Sequence, residues 1–187
     1  ARPVSHCTER EEGLLTVGTV EIFLEWLYTT QYPTADRFHE AGKSDLSVQV
    51  ARVKACEFGD RFQIAALLRM SENAFVDSLI CNGQVPYYET IIYAFDHLPP
   101  NSPILQVLID KHCSSWHESS DTKANGELER RSQLPHSFLL GIALRYMRLQ
   151  NGPKKLLKRC DYHGHEANEG RGDKCQVARV DDLKNKP

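Results

Sequence analysis

The spacing of the apolar residues limits this chain more than any other feature. Val20, Phe23, Leu24 and Leu27 stand at i, i+3, i+4 and i+7, which lines one face of an α-helix. Thr19 reads as the cap of that helix, which runs to about Thr29, with Ile22 and Trp26 as a second flank. A helix from about Leu46 to Phe58 carries two stripes. Leu46, Val50 and Val53 form one, and Val48, Ala51, Ala55 and Phe58 form the other. Gly59 reads as its stop. Ile64, Leu67, Leu68, Phe75 and Leu79 mark the next helix, ending near Asn82-Gly83. Tyr88, Ile91, Ile92 and Phe95 repeat the pattern. Ser102-Pro103 then supplies a cap and a first-turn proline for a helix facing inward through Ile104, Leu105, Leu108 and Ile109. A last helix spans about Pro135 to Leu149, with Phe138, Leu139, Ile142, Ala143 and Tyr146 inward, and Gly152-Pro153 ends it. Gly13 to Val17 reads as a short strand. The expected fold class is therefore mainly α, with at least five helices.

Residues 118–133 hold one large apolar residue, Leu128, and read as a solvated polar linker. Charge is unevenly placed. The net charge is −2, yet residues 151–187 carry nine Lys/Arg against six Asp/Glu. An acidic body with a mildly basic tail is a poor match to a dedicated nucleic-acid binder. No apolar run approaches the ~18 residues that span a bilayer, and no basic-then-apolar leader opens the chain. The expected setting is cytoplasmic or nuclear, away from membranes. Cys56, Cys81 and Cys113 lie in or beside apolar helical stretches and read as reduced, mostly buried thiols.

Catalytic signatures fail on spacing. Gly42-Lys43-Ser44 ends like a phosphate loop, but Arg37 stands where the first glycine belongs. His-Glu pairs at 39–40, 117–118 and 165–166 are followed by Lys43, Asp121 and Glu169 where a zinc protease needs its second histidine. The basic cluster at Lys154, Lys155, Lys158 and Arg159 reads as the solvated start of a tail. Tyr87, Tyr88 and Tyr93 fall at helical spacing and read as core rather than as base-stacking residues.

One stretch, CDYHGHEANEGRGDKC, gathers two cysteines and two histidines. Cys160, His163, His165 and Cys175 make a two-thiolate, two-imidazole set that suits a structural zinc, because four protein ligands leave no open position for water. His163 and His165 are only two apart, closer than in a standard finger. The same stretch also reads as a polar tail with incidental histidines, and both readings stand at this level.

FLEWLYTTQYP at 23–33 and VKACEFGDRFQI at 53–64 resemble the BTB/POZ family, whose domain carries a helix ending in a Leu/Ile-Tyr-Thr-Gly turn. Leu27-Tyr28-Thr29 match that turn, and Thr30 replaces its glycine. IIYAF at 91–95, LPPNS at 98–102, ILQVLID at 104–110, the Leu134 to Leu139 segment and Cys160-Asp161-Tyr162-His163 resemble the extension of many fungal BTB-domain proteins. The resemblance implies the C-terminal helical part of an α+β BTB/POZ-like domain at 1–82, a helical extension at 83–152 and a basic Cys/His tail at 153–187. Residues 1–18 are too short for the strands and helix that open that domain. The function implied is a non-catalytic protein-protein interaction module, an adaptor or scaffold serving a protein partner, with self-association through an α-helical face left uncovered. The competing reading is a zinc-dependent nucleic-acid or chromatin binder using the basic Cys/His tail. The six carboxylates among its basic residues weaken any phosphate-tracking surface.

Overall fold

The structure, a computed structural model, describes residues 16–33, 45–82, 85–150 and 157–165. Within them run α1 (Val17–Thr29), α2 (Asp45–Arg61), α3 (Ala65–Asn82), α4 (Tyr88–His97), α5 (Pro103–Ser115), the single-turn α6 (Glu127–Arg130) and α7 (His136–Gln150). Short 3₁₀ turns occupy Glu118–Ser120, Arg131–Gln133 and Arg159–Asp161. The described residues contain no strand, and the mainly helical expectation holds. The strand expected at 13–17 fails at its described end, since Val17 is already helical; residues 13–15 lie outside the described residues. Two threonines three apart offer alternative caps, and the chain uses the earlier. Thr16 accepts the Thr19 N–H at 3.3 Å, while Thr19 is buried.

Helix α2 is buried on two sides, as its two stripes require. Val48, Ala51, Ala55 and Phe58 join Ile22 of α1 and Leu67 of α3 in one cluster. Val53 and Cys56 face a larger cluster drawn from α3, α4, α5, α7 and Tyr162. Phe75, Ile91, Ile104, Leu108 and Phe138 are fully buried there, each contributing roughly 1.5–3 kcal/mol. This larger cluster takes residues from both sides of residue 82.

Gly59 does not stop α2. The helix runs on to Arg61, and Gln63 takes the left-handed terminating conformation (φ 55°). Ile64 N–H bonds Gly59 C=O at 2.8 Å and Gln63 N–H bonds Asp60 C=O at 3.1 Å, the paired bonds of a Schellman ending. The missing side chain of Gly59 serves packing instead. A Cβ there would lie 2.8 Å from the Leu68 backbone nitrogen and 2.9 Å from its Cα.

Two helices turn differently from the sequence reading. On α1, Thr19 and Ile22 are buried and Phe23 and Trp26 pack against the smaller cluster. Val20, Leu24 and Leu27 face outward at 38 %, 42 % and 51 % exposure. The aromatic contact decides this, because the Phe23 ring lies 5.1 Å from Phe58, which in turn lies 4.5 Å from Phe62. On α7, Phe138 and Ile142 face inward as expected, but Leu139, Ala143 and Tyr146 face outward. Gly141 and Arg145 turn in instead. Gly141 meets Ile109 of α5, where a Cβ would come within 2.4 Å of Ile109 Cδ1. Arg145 Nε stands 2.7 Å from Asp110 Oδ1.

The stretch 118–133 is a polar clamp more than a linker. Asp121 accepts from Tyr88 Oη at 2.5 Å, Trp116 Nε1 at 3.2 Å and Arg131 Nε at 2.5 Å. Buried Glu127 accepts the Tyr88 backbone N–H at 2.7 Å. Cys56, Cys81 and Cys113 are free thiols, but Cys81 is exposed because it falls in the last turn of α3.

Substituting the two turn residues should move stability in opposite directions. Gln63→Gly removes a left-handed side-chain penalty and should stabilise by about 0.5–1 kcal/mol. Gly59→Ala forces α2 from α3 and should cost about 1–3 kcal/mol. Denaturant unfolding midpoints read both, and an unchanged Gly59→Ala midpoint would refute the close contact.

Candidate functional site

The tail segment 157–165 returns to α3 and straps across it. Arg69, Asn73 and Asp77 stand at i, i+4 and i+8, one polar line on a helix that buries Leu67, Phe75, Val76 and Leu79 elsewhere. Arg159 grips Asp77 with two donors, Nε on Oδ1 and Nη2 on Oδ2, the bidentate form in which guanidinium pairs best with carboxylate. His163 Nε2 lies 2.8 Å from Asp77 Oδ1. One turn earlier, Asn73 pairs with the Gly164 backbone in both directions: its Oδ1 accepts the N–H at 3.0 Å and its Nδ2 donates to the C=O at 3.3 Å. Tyr162 drops into the larger cluster and donates its hydroxyl to Asp110 at 2.7 Å.

Burial pushes the Asp77 carboxyl up, but the His163 and Arg159 hydrogen bonds and charges outweigh it and hold it below the usual carboxylate range. The strap is thus an ionic latch. Arg159 is neutralised by Asp77, while Lys158 beside it is exposed.

The residues expected to bind zinc are only partly brought together. Cys160 is half-buried on the 3₁₀ turn, His163 faces Asp77, and the rings of His163 and His165 lie 6.0 Å apart. Cys175 lies outside the described residues. Among the described residues no three His, Cys, Asp or Glu side chains form a group that could hold a metal ion. Sequence reasoning missed Asp77 and Asn73, whose one signal was their polar register with Arg69 on α3.

Two further features bear on function. The outward face of α1 presents Val17, Val20, Leu24, Leu27 and Tyr28, with Val17 74 % and Tyr28 82 % exposed. Their spacing places them on one stripe. Elsewhere, Glu72 and Asp60 line a cleft of about 240 Å³ with Leu98, Pro99 and Ser102. Burial pushes the Glu72 carboxyl up to about 7, with Asp60 adding to the rise and the Ser102 hydroxyl opposing it.

These two acids give pH effects of opposite sign. Asp77 is depressed, so its contribution is complete above the ordinary carboxylate value and is lost as pH falls below about 4. Glu72 is raised, so between about 4.5 and 7 the folded chain holds a proton that the unfolded chain has released, and stability falls as pH rises through that window. Glu72→Gln should flatten that slope in a series of unfolding curves; an unaltered slope would count against the assignment. Asp77→Asn should speed amide exchange in 157–165 about tenfold or more, and a metal chelator should leave that exchange unchanged. Release of the strap by chelator but not by Asp77→Asn would reverse this account.

No helix among the described residues is long and apolar enough to cross a membrane. No family model, no curated protein and no solved structure matches the chain.

Proposed function

We propose that the chain is a non-catalytic protein-protein interaction module of BTB type, acting as an adaptor or scaffold. The observation that carries this reading is the outward apolar stripe of α1. Its five large side chains lie on a helix whose opposite face is anchored in the core by Ile22 and Phe23. A rigidly seated helix with an apolar outer stripe is suited to lie against a protein partner, because association removes that surface from water without reordering the helix. The backbone at residue 30 also supports the resemblance. The BTB pattern places a glycine after Leu27-Tyr28-Thr29, and Thr30 here has φ 55°, in the left-handed region that glycine favours. The occupant of the stripe is a protein with a matching apolar face.

The test compares the parent chain with Leu24→Glu, a change at a half-exposed position that leaves the core untouched. Proteins captured by the parent but lost with the variant are purified and titrated directly. At least one should bind the parent with micromolar or tighter affinity and bind the variant about tenfold more weakly, a loss of ~1.4 kcal/mol. If no purified protein discriminates between the two chains, the adaptor reading fails.

A further inference from the structure

Three polar groups buried where the end of α1 meets α2 and α3 have nothing to bond. Arg52 Nε, Tyr32 Oη and Ser71 Oγ are shut off from solvent and have no hydrogen-bond partner. Arg52 is 6 % exposed and Ser71 is fully buried. The register of the helices gathers them. Arg52 lies one turn after Val48 on α2, and Ser71 lies one turn after Leu67 on α3. Tyr32 packs against the cluster that Val48 and Leu67 share. Burial pushes the Tyr32 phenol well up, with Cys56 adding to the rise, while the Arg52 charge and the Ser71 hydroxyl oppose it. The two hydroxyls are therefore neighbours, yet they are not aligned to bond one another.

The chemistry of this set is one-sided. Burial lowers the Arg52 guanidinium from its usual value, but so basic a group stays protonated in a protein. A buried charge is costly without a partner. The carboxylate that acts on Arg52 is Asp77, and Asp77 is already held by both donors of Arg159 and by His163. Arg52, Tyr32 and Ser71 can each donate a hydrogen bond, and burial keeps the phenol protonated. A water molecule would join such donors but would bring no charge to offset the guanidinium. An anion does both. Ser71 and the nearby Cys56 are fully buried, so the ion is compact, and one guanidinium calls for one negative charge.

We propose that Arg52, Tyr32 and Ser71 form an internal site for one small monovalent anion of the halide class. The ion ties the segment after α1 to the α2–α3 pair through one donor from each. The site is separate from the outward stripe of α1 and does not depend on the partner proposed for it.

Urea unfolding of the full chain tests it, with chloride exchanged for gluconate at constant ionic strength. Raising chloride from about 1 to 100 mM should lower the unfolding constant about tenfold for a site of about 10 mM affinity, with the logarithmic dependence that site binding requires. Arg52→Met keeps the length of the side chain without its charge and should show no chloride response. Tyr32→Phe removes a single oxygen atom, so the fold is kept, and should cut the response about threefold or more. Lys158→Ala, at an exposed cation of the strap, should respond as the parent does. A parent indifferent to chloride, an equal response in Arg52→Met, a response unchanged by Tyr32→Phe, or one lost with Lys158→Ala would each overturn the proposal.

Discussion

The contact between Gly59 of α2 and the backbone of Leu68 in α3 sets the separation of the two helices on which both buried clusters are built. With that separation fixed, Phe58 reaches Phe23 on one side while Val53 and Cys56 reach the larger cluster on the other. The two clusters thus share a wall, and a shift of α2 is felt in both. Close-packed interiors transmit such shifts because they have little free volume to absorb them. The Schellman ending at Gln63 serves the same contact by directing the chain back so that α3 runs against α2 from its first turn.

Helix α5 is the second organising element and is buried nearly all round. Asp110, Lys111 and His112 are consecutive and all buried. A buried charge is costly unless it is paired and hydrogen-bonded. Asp110 takes a hydrogen bond from Gln106 at 3.0 Å and one from Tyr162, and has Arg145 beside it. The carboxylate therefore ties the tail and α7 to the core at one point. His112 lies among the rings of Tyr88, Trp116 and Phe138, and burial lowers it to about 4, which keeps it neutral at ordinary pH. The inward turn of Arg145 is the direct cause of the outward apolar face of α7. A polar requirement in the core has placed leucines on the surface.

The helices, the Ser102 cap with its Pro103, and the two stripes of α2 were legible because each depends on neighbours within a turn or two. The orientation of α1 and α7 was not. Both helices are apolar over much of their circumference, so helical periodicity fits two faces equally. The choice between those faces falls to Phe58 and Asp110, residues far away in the chain. Cys160, His163 and His165 stood out because they are close in sequence, yet the partner of His163 is Asp77, 86 positions earlier. Nothing in the spacing of the tail itself points to that carboxylate.

The distance along the chain between the two halves of the strap has a consequence for synthesis. Arg159 follows Asp77 by 82 positions, and Gly164 follows Asn73 by 91. At translation rates of about 5–20 residues per second, α3 emerges roughly 4–18 s before the segment that will cover it. During that interval Asp77 is a hydrated anion, and the apolar face of α3 meets α4, α5 and α7 only as each emerges in turn. During synthesis the strap cannot close before residue 159 has emerged, and Tyr162 then joins a cluster whose other members all precede it in the chain.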